Sequence, residues 1–501
     1  MTRTIRRTFA LVAAFTTLVA LSVSASAGAG PAACTDRTNN TLDKLTECVT
    51  LEGVRAHQAA LQDIADANDG IRASGTPGYD ASADYVAGVM RAAGYQVSVQ
   101  EFQFQTFIEL SPAILERVSP APAGPIPNVI LEYSGSGDVT APVTPLAAPP
   151  VDATPGCEAA DFAGFPAGNI ALISRGACTF ATKATNASDA GASGVVIYNN
   201  IAGALNGTLG NAFTLNIGVT GVTQAVGQEL AATPGLVLHL KTETFRGIAT
   251  TRNVLAETPD GDPNNVVMVG AHLDSVDTGP GINDNGSGSS TILETAVQMA
   301  KVKPRNKVRF AWWGAEEANL VGSTYYVNNL PQGERDKIAL YLNFDMVGSP
   351  NHVFFIYDGD DSDAVGAGPG PEGSAQLEKT FEAFYASRGI PYKGTDFTGR
   401  SDYGPFIANG IPAGGLFTGA EGIKTAAEAA LWGGTAGQQY DPCYHLACDT
   451  YANNNDDALD VNSDAIATAT LSYAMSTTLV NGKKGKGNFK PPAPENPPAG
   501  S

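Results

Sequence analysis

Val266-Val267-Met268-Val269-Gly270-Ala271-His272-Leu273-Asp274 is the stretch that decides how this chain reads. A β-branched apolar run stops abruptly at a histidine and an aspartate. Gly281-Ile282-Asn283-Asp284-Asn285-Gly286 then delivers a second aspartate on a glycine-rich loop, and an apolar helical pattern follows from Ser290 to Ala300. A buried strand with polar residues at its carboxyl end is where open α/β sheets carry their chemistry. His272, Asp274 and Asp284 at this spacing predict the start of a metal site.

Outward from that strand the same pattern recurs. Lys307–Trp313, Ile338–Phe344, His352–Tyr357 and Ile411–Phe417 read as strands, most of them separated by helical stretches. That alternation predicts an α/β fold, a mixed and largely parallel sheet sandwiched by helices. Upstream, Val54–Ala67 and Tyr79–Ala93 have helical spacing, Gln96–Phe107 alternates as a half-buried strand, and residues 28–50 read as an arm. Composition shifts at Ser134-Gly135-Ser136-Gly137, runs through proline and alanine to Pro150, and restarts at Cys157 as strand, turn, helix, strand ending in Gly194-Val195-Val196-Ile197-Tyr198. The expected division is a discontinuous catalytic domain over 28–134 and 249–480, an insert over 135–248, and a Gly, Lys and Pro-rich disordered tail over 481–501.

At 501 residues the chain exceeds one ordinary domain, and 43% hydrophobic content suffices for a real core. A net charge of −20 argues against nucleic acid or an anionic membrane as partner. Arg3, Arg6 and Arg7, the apolar run Phe9–Val23 and the small residues Ala25-Ser26-Ala27 predict a signal peptide over 1–27, hence a secreted, extracellular protein. Six cysteines, an even number, suit an oxidising compartment, and proximity favours Cys34–Cys48, Cys157–Cys178 and Cys443–Cys448. No CxxC pair offers a thiolate metal site.

Three further strand ends or loops supply polar groups: Gly314-Ala315-Glu316-Glu317, Asp345-Met346 and Cys443-Tyr444-His445. Two histidines and three acidic groups can serve two ions with one carboxylate shared, a donor set suited to two zinc ions with positions left open for water. Adjacent Glu316 and Glu317 can then divide their labour, one ligating and the other acting as a base.

Taken together, Gly270-Ala271-His272-Leu273-Asp274, Gly281-Ile282-Asn283-Asp284-Asn285-Gly286-Ser287-Gly288, Phe310-Ala311-Trp312-Trp313-Gly314-Ala315-Glu316-Glu317, Asn343-Phe344-Asp345-Met346, Gly399-Arg400-Ser401-Asp402 and Cys443-Tyr444-His445 strongly resemble the secreted dizinc aminopeptidases of the bacterial leucyl aminopeptidase type. The insert resembles the protease-associated domain. The resemblance implies that His272 and Asp345 hold one zinc, Glu317 and His445 the other, and that Asp284 bridges them through a cis Asp284–Asn285 peptide. It implies Glu316 as general base, Tyr444 as donor to the oxyanion, and Asp274 as acceptor of the second N–H of His272. It matches Met346, Gly399, Arg400, Phe417 and Cys443 to a side-chain pocket for a large apolar, Leu-like residue. Some relatives bind calcium between an N-terminal acidic residue and two late aspartates. Asp460 and Asp464 match the late pair, and no N-terminal partner is recognisable in residues 34–50.

The expectation is therefore a secreted metalloaminopeptidase acting as a monomer on peptides with a free N-terminus. A carboxypeptidase on the same scaffold needs an arginine cluster for the substrate carboxylate, for which Arg400 is the obvious candidate. A receptor-like relative without catalysis would have lost ligands, and all five ligands and the base are present here.

Overall fold

Alternate residues of the three central strands face opposite ways. Val267, Val269 and Ala271, Val308, Phe310 and Trp312, and Leu340, Leu342 and Phe344 all join one core cluster. Val266 and Met268, Ala311 and Trp313, and Tyr341 join another. A period of two with both faces apolar is the signature of a sheet buried on both sides. Helices Leu51–Asp66, Pro77–Ala92, Gly286–Met299, Ser374–Ser387 and Asp456–Met475 cover the first face, and Val321–Asn329 and Tyr403–Ala408 the second. Each large side chain so buried contributes about 1.5–3 kcal/mol of transfer free energy. The computed structural model describes residues 32–483 except 202, 204, 206, 365 and 367. The expected signal peptide and nearly all of the expected tail lie outside the described residues.

Outside the insert the strand order is Lys393–Thr395, Phe355–Tyr357, Ala413–Phe417, Ile338–Phe344, Asp262–His272, Asn306–Trp313, Val237–Glu257. Asp262–His272 pairs in parallel with both of its neighbours. The Val237–Glu257 strand is antiparallel to Asn306–Trp313, and Phe355–Tyr357 is antiparallel to Ala413–Phe417, which makes the sheet mixed. His272 pairs with Trp313, so the strand ends that carry His272, Glu316 and Asp345 lie side by side.

Gln96–Ser119 and Val237–Glu257 form one long antiparallel ribbon leading from the main sheet into the insert. The insert's own strands, Gly137–Pro145, Ile170–Ser174, Gly194–Tyr198 and Val219–Val222, continue from it. Leu131 and Tyr133 pack in the insert's core although they precede 135, because the Ser134–Gly137 shift marks a loop and not the point where packing changes. The strand beginning at Gln96 runs beyond Phe107 to Ser119, its register shifts between Glu109 and Ile114 accommodating Pro112. Residues expected as an arm include two short helices, Ala32–Asp36 and Leu42–Thr46, and Leu45 and Val49 are buried in the main core. All three expected disulfides are present.

Candidate active site

Asp284 lies between two imidazoles. Its Oδ1 is 3.2 Å from His272 Nε2 and its Oδ2 is 3.3 Å from His445 Nε2. Asp345 Oδ1 is 3.3 Å from His272 Nε2, and Glu317 Oε2 is 3.1 Å from His445 Nε2. Three groups of potential ligand atoms result, His272 with Asp284 and Asp345, Glu317 with Asp284 and His445, and His272 with Glu316 and Glu317. Glu316 Oε2 stands 3.9 Å from His272 Nε2 and belongs to the third group alone, outside both that contain Asp284.

Asp345 is aimed by a chain of hydrogen bonds. Trp313 Nε1 donates to Tyr341 Oη at 2.8 Å, Tyr341 to Asn343 Oδ1 at 2.9 Å, Asn343 Nδ2 to Ser401 Oγ at 2.8 Å, and Ser401 to Asp345 Oδ2 at 2.5 Å. A Cβ at residue 270 would fall 2.5 Å from the Tyr341 oxygen, so Gly270 leaves room for this chain. Asp284 enters through a cis peptide to Asn285, whose side chain caps the Gly286–Met299 helix by accepting from Gly288 N at 2.9 Å and donates to Phe344 O at 2.8 Å. Ala315, Met346 and His445 have positive φ values of 53°, 50° and 58°. Left-handed non-glycine residues cost on the order of 1 kcal/mol or more each and concentrate where function fixes the backbone.

The second N–H of His272 differs from expectation. Nδ1 lies 3.0 Å from the backbone carbonyl of Asp274 and 3.7 Å from its carboxylate. The carboxylate instead accepts the backbone N–H of Glu316 at 3.2 Å, because the two strand ends are adjacent. Tyr444 stacks on the His445 ring with centroids 3.8 Å apart, and its hydroxyl accepts from Arg400 Nη2 at 3.2 Å. Arg400 is itself held by Glu421 at 2.6 Å.

Charge is crowded. Burial pushes Glu316 well above the usual carboxylate range, with Glu317, Asp402 and Asp345 adding to it against His272. Glu317 is pushed up to about 7 by burial, opposed by His445. For His272 and His445 burial works against the charged form, but the carboxylates outweigh it and raise both. Burial likewise works against the charge of Asp284, yet the bonds from both imidazoles hold it low. Asp345 Oδ1 and Glu317 Oε1 are buried without hydrogen-bond partners. Unpartnered buried carboxylate oxygens beside imidazoles fit a pair of divalent zinc ions. The late aspartates do not fit calcium in the same way. Arg388 already supplies the cation, donating to Asp464 at 2.9 Å, and Asp460 belongs to none of the three-ligand groups among the described residues.

The residues surround a cleft of about 280 Å³ that Met346, Phe417, Arg400 and Tyr444 also line. Gly399 and Cys443 do not line it. Gly399 N donates to the Tyr403 hydroxyl, and Cys443 is consumed in the Cys443–Cys448 staple. Sequence reasoning missed Arg72 and Asp449. Arg72, fully buried, donates to the carbonyls of Leu273, Pro280 and Gly281 and so ties the His272 strand end to the Asp284 loop. Asp449 accepts the backbone N–H groups of Asn283 and Asp284. It also missed Tyr357, Asp396, Thr398 and Glu421 in the cleft wall.

Residues 253–470 match the model of peptidase family M28, and residues 139–230 match the PA domain. An aminopeptidase of Pseudomonas aeruginosa is 51% identical over 448 residues, spanning 87% of this chain and 83% of that protein. A leucine aminopeptidase 2 of Trichophyton rubrum is 42% identical over 444 residues, 87% of this chain and 86% of that one. A solved zinc aminopeptidase from Bacillus subtilis superimposes with a TM-score of 0.61 at 25% identity, covering 87% of this chain and 98% of its own.

Proposed function

The chain belongs to peptidase family M28 and is an aminopeptidase, and from that premise we propose that it is an exported enzyme that removes a large apolar N-terminal residue from peptides with a dizinc centre. His272 and Asp345 would hold one zinc, Glu317 and His445 the other, with Asp284 shared. The observation that carries this reading is Asp284, whose two oxygens each face a different histidine. When bound, two zinc ions supply an acidified water and polarise the scissile carbonyl.

The remaining work falls to side chains. Glu316, buried and proton-avid, takes the proton of the attacking water and returns it to the leaving amine. Tyr444 is held well above its usual value, by burial first and then by Asp284 and Glu317, so it keeps its proton and donates a hydrogen bond to the developing oxyanion. Arg400 donates to the same phenol oxygen and leaves that hydrogen free for substrate. Pairing of Arg400 with Glu421 counts against the carboxypeptidase reading. Three disulfides and the signal-like residues 1–27 support export.

The test is a panel on zinc-loaded protein. Leucine p-nitroanilide should be cleaved and its N-acetylated form should not. Cleavage of the blocked substrate, or of a C-terminal residue from an N-blocked peptide, would contradict the reading.

A further inference from the structure

A narrow cavity of about 80 Å³ adjoins the cleft where the insert meets the rest of the fold. Glu317 lines both spaces, whereas Met346 and Phe417 line the cleft alone. One wall of the narrow cavity is the loop that follows the His272 strand and carries Asp277. The other is Phe104 and Phe107 of the Gln96–Ser119 strand, with Glu132 and Tyr133. Leu131 and Tyr133 pack in the insert's core, and the backbone of Glu132 between them bonds to Gly207 and Leu209, so Glu132 is presented by the insert. The Tyr133 hydroxyl donates to Gln105 O at 3.0 Å, and the Phe107 and Tyr133 rings lie 5.7 Å apart, which fixes the insert against the ribbon here. On the opposite wall Thr278 Oγ1 donates to His445 O at 2.9 Å and ties the Asp277 loop to the site.

The charge in this gap is of one sign. Glu132 and Asp277 are exposed, and each lies within electrostatic reach of the other and of His445. No lysine or arginine lines the cavity among the described residues. Arg246 stands opposite Phe107 in the ladder but donates to Tyr133 O and Phe213 O, at 3.3 and 2.9 Å. Phe104, Phe107 and Tyr133 supply aromatic surface beside the two carboxylates. Aromatic surface next to accessible carboxylates suits a side chain with a methylene stem and a cationic head.

We propose that this cavity receives the side chain of the substrate's second residue, the one that becomes the new N-terminus, and that Glu132 and Asp277 favour lysine or arginine there over glutamate or aspartate. A first residue seated at Met346 and Phe417, with its carbonyl toward the Tyr444 that stacks on His445, sends the rest of the peptide past Glu317 and into the gap. The stem of the second side chain lies on Phe104, Phe107 and Tyr133, and its head lies between a carboxylate of the insert and one of the main fold. The insert thereby takes part in substrate selection through Glu132. The inference rests on the cleft being the aminopeptidase site argued above.

The experiment holds the first residue constant and varies the second. Leucyl-lysyl-alanine and leucyl-glutamyl-alanine are compared on the zinc-loaded full chain and on the Glu132→Gln, Asp277→Asn double variant, each checked for zinc content, with leucine p-nitroanilide, which has no second residue, run alongside. In the unsubstituted protein the lysyl peptide should exceed the glutamyl peptide in kcat/KM by at least about tenfold. The double variant should lower that ratio by at least about fivefold, and the ratio within one protein is insensitive to any general loss of active enzyme. A smaller ratio in the unsubstituted protein, or a smaller fall in the double variant, overturns the proposal while cleavage of leucine p-nitroanilide leaves the cleft assignment standing. Should leucine p-nitroanilide resist the unsubstituted protein, the assignment of the cleft fails, and this inference fails with it.

Discussion

Asp449 accepts the backbone N–H of Asp284 at 2.9 Å, and its other oxygen accepts that of Asn283 at 2.8 Å. A carboxylate far along the chain thus fixes the backbone from which the shared ligand projects. Asp449→Asn keeps the shape but replaces one acceptor with a donor facing an N–H. Zinc affinity should fall about 10–100-fold, the range typical of groups that orient ligands. Zinc titration of the stripped variant checks this, and an unchanged affinity would show that Asp284 holds its direction without Asp449.

The Cys443–Cys448 bridge closes a loop with a sequence separation of 5 that carries Tyr444 and His445. Its entropic contribution is small, about 2 kcal/mol at most. The larger effect of the double Cys→Ser variant should be on the His445 ligand position. One zinc should be released more readily than the other, with kcat falling alongside. Retention of both ions with undiminished kcat would make the bridge purely structural.

His352 lies away from the cleft and is 9% exposed, its Nδ1 unpartnered. Burial, with Lys424 beside it, lowers it from 6.5 to about 4. The unfolded chain therefore binds a proton that the folded chain refuses between those values. Its contribution to stability is complete above pH 6.5 and is lost as pH falls toward 4, by at most about 3 kcal/mol. With metal chelated throughout, denaturant unfolding of His352→Gln should show a shallower loss across that window. Parallel curves for the two proteins would rule the effect out.

What the sequence made legible, and what it hid, has a physical basis. The central strands could be read because both their faces are apolar and the runs stop at polar residues, as at Ala271-His272 and Phe344-Asp345. The His352–Tyr357 run was read too long. Its ladder begins only at Phe355, since Val353 N bonds instead to Thr418 O. Arg72 and Asp449 left no local signal, because their partners are main-chain groups some 170 to 210 positions away. Glu132 and Asp277 were equally silent, since what distinguishes them is that two parts of the fold bring them to one cavity.

The most direct measurement is zinc content together with kcat for Glu316→Ala and Glu317→Ala. Glu316 groups with His272 and Glu317 but with neither set that includes Asp284, whereas Glu317 also joins Asp284 and faces His445 at 3.1 Å. Glu316→Ala should retain both zinc ions while kcat falls by about 10²–10⁴. Glu317→Ala should lose zinc first and activity as a consequence. Near-normal kcat in Glu316→Ala, or zinc loss from it as ready as from Glu317→Ala, would contradict the division of roles between the two glutamates.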